Sequence, residues 1–60
     1  MKPELLDFVV SYDITDNRKR KKIADILDEY GRRVQYSVYE ITVPSREVGS
    51  LRSRLAKHLR

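Results

Sequence analysis

The apolar positions of this chain follow two periods, and the changes between them mark its elements. From Leu5 to Asp13 they are nearly continuous. On an extended chain Phe8, Val10 and Tyr12 fall on one face, and Val9, Ser11 and Asp13 on the other. Both faces are largely apolar before Ser11, which predicts a central strand covered on both sides. From Asn17 to Tyr30 the period lengthens. Ile23, Ile26, Leu27 and Tyr30 recur at i, i+3, i+4 and i+7, the stripe of an amphipathic helix. Thr15 or Asp16 is placed to cap it, and Gly31 to stop it in a left-handed conformation.

Residues 32–43 are rich in β-branched and aromatic types and exceed a common strand length. They read as two strands, Arg32–Gln35 and Ser37–Val43, with a tight reversal near Tyr36. The reversal lacks an Asn-Gly or Gly-Gly signal, so one bent strand is the alternative. Tyr39, Ile41 and Val43 share a face of the second strand; Val38, Glu40 and Thr42 share the other. Pro44-Ser45 ends that strand and caps a last helix, Arg46–Leu59, with Val48, Leu51, Leu55 and Leu59 as its stripe. Met1 to Glu4 read as an irregular start, because Pro3 discourages regular structure. The order is βαββα, in one α+β domain over residues 1–60.

Charge adds to this picture. Thirteen Lys and Arg oppose nine Asp and Glu, for a net charge of +4. The cations cluster at Arg18–Lys22, at Arg32 and Arg33, and along Arg46, Arg52, Arg54, Lys57 and Arg60. Solvated helix faces account for many of them singly; the set on so small a chain points to a polyanion, nucleic acid first. In the first helix the cations come early and the acids late, the reverse of what the helix dipole favours. An anionic ligand at the first turn would change the sign of that effect. There is no cysteine, which excludes disulfides and thiolate metal sites. A domain of this size buries only about 60% of its unfolded surface, so a partner chain is the expected source of further stability. No apolar run approaches the roughly 20 residues of a membrane span, and the N-terminus lacks a signal-peptide core. The expectation is a cytoplasmic protein that does not engage a membrane.

Three segments carry a resemblance: Tyr12-Asp13-Ile14, Arg18-Lys19-Arg20, and Tyr30-Gly31-Arg32-Arg33-Val34-Gln35-Tyr36-Ser37-Val38-Tyr39-Glu40. Together they resemble the CRISPR-associated Cas-two family, the small partners of the Cas-one spacer integrase. The likeness covers nearly the whole chain, and the Gly-x-x-Val-Gln-Tyr-Ser-Val-Tyr-Glu run is its specific part. It implies a ferredoxin-like fold and a homodimer through facing sheets. It also implies Mg2+-dependent endonuclease activity on RNA or double-stranded DNA, and a place in spacer acquisition beside the Cas-one integrase. By the same resemblance Asp13 is the metal-binding and catalytic carboxylate, Tyr12 its catalytic neighbour, and Arg18, Arg20 and Arg33 the nucleic-acid-binding arginines. Tyr39 stands where phenylalanine is more usual. The family continues into a fourth core strand, so the resemblance reads this chain as shortened at its C-terminus, with the edge of Leu5–Asp13 unpaired.

Taken from the residues alone, Asp13 reads first as a strand-end Asp bonding local amides, and Tyr12 and Tyr39 as core residues; the metal role for Asp13 rests on the resemblance. Asp16 is the only other acid close to Asp13, and it reads as the cap. A second copy would supply a second carboxylate. His58 is a candidate general base. Glu40 is either an acid supporting the site or a solvated strand residue. Two other functional classes stand beside the nuclease: a non-catalytic DNA-binding scaffold bridging integrase dimers, and a toxin-like ribonuclease of the same fold.

Overall fold

The computed structural model describes residues 4–59, and the expectations for Met1–Pro3 and for Arg60 lie outside them. Strand β1 (Leu5–Ser11) leads to helix α1 (Asn17–Asp28). Strands β2 (Gly31–Gln35) and β3 (Val38–Pro44) follow, then a 3-10 turn at Ser45–Glu47 and helix α2 (Val48–Ala56). The sheet is antiparallel throughout, in the order β1-β3-β2. This is the expected α+β, ferredoxin-like βαββα arrangement.

Register assigns the faces. Val10 lies opposite Tyr39, Phe8 opposite Ile41 and Leu6 opposite Val43. Tyr39, Ile41 and Val43 are buried with Ile23, Ile26 and Leu27 of α1 and Leu51 of α2. Both helices therefore cover one face of the sheet. The other face carries Leu5, Asp7, Val9, Glu40 and Thr42, and Val9 is 72% exposed. Two polar links cross it: Thr42 donates to the Asp7 carboxylate at 2.7 Å, and Arg32 pairs with Glu40 at 3.5 Å.

Several local expectations are corrected. β3, not β1, is the middle strand, and β1 is not covered on both faces: β3 is its sole neighbour among the described residues, and Leu5 and Val9 on the face away from the helices are 59% and 72% exposed. Gly31 is not left-handed, since no described glycine has positive φ. It opens β2, where an added Cβ would overlap the Glu40 carbonyl oxygen and come within 2.6 Å of Ile41 Cα. Close strand approach, rather than a helix stop, requires glycine here. α1 instead ends through tightened i to i+3 bonds, from Glu29 N–H to Ile26 O and from Tyr30 N–H to Leu27 O.

Of the two candidate caps for α1, Asp16 takes the role, accepting from the Lys19 amide at 3.0 Å. Ser45 does not cap the last helix. Its residues form the 3-10 turn, and no side chain bonds an amide at the start of that turn or of α2. Leu59, placed in the last apolar stripe, lies beyond the end of α2 and is 58% exposed. It borders an open apolar groove with Phe8 and Leu55, on the side where β1 has no further neighbour.

Candidate nucleic-acid interface

The end of β1 is tied to the β2–β3 reversal. The Tyr12 amide donates to the Ser37 carbonyl at 3.1 Å, continuing the ladder one step beyond the Ser11–Val38 pair. That bond brings Tyr12 and Asp13 beside the turn carrying Tyr36. Adjacent residues of an extended chain face opposite ways, and the two residues accordingly line different clefts.

The first cleft, about 430 Å³, lies between α1 and the β2 edge. Tyr12, Arg20, Arg33, Tyr36 and Tyr39 line it. The Tyr12 and Tyr39 rings stack with centroids 6.4 Å apart and planes 24° from parallel. Burial raises the Tyr39 hydroxyl above its ordinary pKa, and its hydrogen bond to the Asp28 carboxylate adds to the effect. Arg33 lies opposite Tyr39 in the register, on the helix-side face of β2, and is exposed. Arg20 is held by its own surroundings. It donates to the Ile14 carbonyl at 3.4 Å and to the Asn17 side chain, and its guanidinium sits over the Tyr36 ring, 5.6 Å from the centroid.

The second cleft, about 250 Å³, holds Asp13 with Thr15, Asp16, Lys19 and His58. Asp13 is exposed, and among the described residues no hydrogen bond or ion pair engages its carboxylate. Asp16 is committed to the α1 cap; the Lys19 amide is the main reason its carboxyl lies below the usual range. His58 comes from the far end of the chain to border the same cleft. Among the described residues no group of three or more His, Asp or Glu is arranged to hold a metal ion. One chain thus offers one uncommitted carboxylate here. Such a donor suits Mg2+, which takes one or two carboxylates along with water and substrate phosphate.

Of the site residues expected from the sequence, the fold gathers Tyr12, Arg20 and Arg33 in one cleft and places Asp13 next door. Arg18 lies exposed in the first turn of α1, outside both cleft linings. Glu40 lies on the opposite sheet face, paired to Arg32, away from both clefts. Tyr36 was legible only as a turn residue. Its one signal was an aromatic in a tight reversal that lacks turn-forming types.

Topology and sequence together place the chain in a known family. The sequence model of CRISPR associated protein Cas2 matches residues 7–60, and the chain belongs to that family. It is 52% identical over 50 residues to a Synechocystis protein named CRISPR-associated endoribonuclease Cas2 3, covering 83% of this chain and 54% of that one. It is 42% identical over 52 residues to a Thermus thermophilus protein named CRISPR-associated endonuclease Cas2 2, covering 87% of this chain and 58% of that one. A Thermoproteus tenax protein named as a CRISPR-associated endonuclease Cas1/endonuclease Cas2 fusion is 47% identical over 53 residues, covering 87% of this chain and 20% of that one. Among solved structures, a hypothetical protein TT1823 from Thermus thermophilus superposes with a TM-score of 0.81 at 40% identity, over 97% of this chain and 68% of that one. The chain spans about half the length of the curated relatives it matches. Among the described residues no helix is long and apolar enough to cross a membrane.

Proposed function

We propose that this chain is the nucleic-acid-binding core of a Mg2+-dependent phosphodiesterase of the CRISPR system. On this reading it cleaves RNA or double-stranded DNA and acts beside the Cas-one integrase in spacer acquisition. The observation that carries the reading is the uncommitted Asp13 carboxylate just past the end of β1, flanked by the basic start of α1. Relatives named endoribonuclease and endonuclease support the activity, and the relative named as a Cas1/Cas2 fusion supports the partner.

The catalytic unit on this reading is a homodimer. The uncovered sheet face, with Val9 and Leu5 exposed, supports pairing with a second copy. Asp13 of each copy would hold the ion between them. Magnesium, when bound, would supply activation of a water and neutralisation of charge on the scissile phosphate. The chain's own groups do the rest. Arg18, Arg20 and Arg33 hold phosphate oxygens through charge-assisted hydrogen bonds. Tyr12 fixes the strand end through its backbone bond to Ser37 and its stack on Tyr39. His58, on the rim of the Asp13 cleft, stands where a proton acceptor is useful.

The absence of an acidic cluster within the described residues of one chain favours a second reading, a DNA-binding scaffold that bridges integrase dimers without cleaving. The test is cleavage of labelled RNA and duplex DNA by the purified protein, with magnesium and with a chelator. Chelator-sensitive cleavage supports the phosphodiesterase; binding without cleavage under both conditions selects the scaffold.

A further inference from the structure

We infer that Tyr36 and Arg20 form a stacking subsite for one unpaired nucleobase, beside the strand end that carries Asp13. This rests on the nucleic-acid-binding reading above and adds to it a contact with a base rather than with the backbone.

Tyr36 is 70% exposed in the tight reversal between two strands. One side of its ring is met by the Arg20 guanidinium. Arg20 is held there by the Ile14 carbonyl and the Asn17 side chain, so the ring is backed by a positioned cation rather than a wandering one. With the residue 70% exposed, the ring keeps surface open to solvent. A flat aromatic surface backed by a cation, at the rim of a cleft that also presents Arg33, is the chemistry that stacks a base while holding its phosphate. Every base has a π-face, so such a shelf tolerates any sequence.

Pairing state is what this shelf discriminates. A base inside a duplex has both faces stacked and cannot lie on Tyr36 without leaving its neighbours, whereas an unpaired base can. The Tyr12–Ser37 bond fixes the spacing, holding the turn with Tyr36 against the end of β1 immediately before Asp13. A base seated on Tyr36 thus anchors its strand next to the Asp13 cleft.

The experiment measures binding of the purified protein to a single strand containing one fluorescent aminopurine, and to a duplex of equal length. Three variants are compared: Tyr36→Ala, Tyr36→Phe and Arg33→Ala. Stacking of a base on an aromatic side chain predicts that Tyr36→Ala weakens single-strand binding about tenfold and abolishes the stacking-induced quench of the probe. It should leave duplex affinity within about twofold and the salt slope unchanged. Tyr36→Phe keeps the ring and behaves as wild type. Arg33→Ala, a phosphate control, weakens both substrates alike. Equal losses for both substrates in Tyr36→Ala, or an unquenched probe in the wild-type complex, overturn the subsite while leaving backbone binding standing. Failure of the wild type to bind either substrate overturns the binding reading, and the subsite with it. Thermal unfolding of each variant checks that the fold is retained.

Discussion

Arg54 of α2 grips Glu29, at the end of α1, through two hydrogen bonds: 3.1 Å to Oε1 and 2.7 Å to Oε2. Its guanidinium also reaches the Tyr30 hydroxyl at 3.4 Å. The pair joins the two helices over the sheet. The Arg54 hydrogen bond holds the Glu29 carboxyl below its ordinary value of 4.5, while Arg54 itself is pushed further up and stays charged. A depressed carboxylate contributes stability that is complete above its unfolded value and is lost as pH falls through its folded value. The melting temperatures of wild type and Arg54→Ala should differ modestly at neutral pH, as befits a solvent-exposed pair. They should draw together as pH drops below 4.5. High salt should narrow the neutral-pH gap as well.

The two glycines predict opposite responses to the same change. At Gly31 an alanine methyl would overlap the Glu40 backbone, so β2 must move away from β3. Gly31→Ala should cost about 1–3 kcal/mol, the usual range for overpacking. Gly49 lies in α2 with open space around it. Gly49→Ala should stabilise by about 0.5–1 kcal/mol, because glycine is a poor helix former. Urea denaturation of both variants measures the difference directly.

Tyr39 gives an alkaline counterpart to Glu29. Its hydroxyl is buried against Asp28 and is raised above its ordinary pKa of 10.0. A raised group contributes stability that is complete below the unfolded value and is lost as pH climbs through the folded one. Wild-type stability should therefore fall more steeply above pH 10.0 than that of Tyr39→Phe, which keeps the stack on Tyr12 without an ionisable hydroxyl. Matching slopes for the two proteins would argue against a buried hydroxyl.

If the arginines neutralise phosphates, affinity for duplex DNA must fall linearly with salt on logarithmic axes and depend little on sequence. Replacing Arg18 and Arg33 by alanine should reduce the slope by about 0.9 for each phosphate no longer neutralised. Titration across several salt concentrations, on unrelated duplexes of equal length, checks both points. Marked preference among those duplexes would contradict backbone recognition.

Much of the architecture was legible because it is periodic. Ile23, Ile26 and Leu27, like Tyr39, Ile41 and Val43, fall on core faces by spacing alone and are buried. The features that escaped depend on how distant residues meet. Gly31 matters for a reason its neighbours in sequence do not reveal, since its nearest constraint is Glu40 on another strand. The Ser45 cap failed because the chain enters α2 through a 3-10 turn, which local residue preference does not distinguish from a first helical turn. At the site, the position of Asp13 after a strand was legible. Its separation from Arg20 and Arg33 into a neighbouring cleft was not, and neither was the Arg20–Tyr36 pairing. Both follow from how the β1 end meets the β2–β3 turn.

On the proposed reading Asp13 holds the ion on which cleavage depends, and Asp13→Asn tests this most directly. This change keeps the side-chain shape and removes the negative charge that attracts a divalent cation. No partner in the described fold depends on that charge, so dimerisation and duplex binding should match wild type. The cleavage rate of purified Asp13→Asn protein, at saturating magnesium and matched substrate, should then fall to the level seen with chelator. Cleavage at the wild-type rate would contradict this role and remove Asp13 from the mechanism.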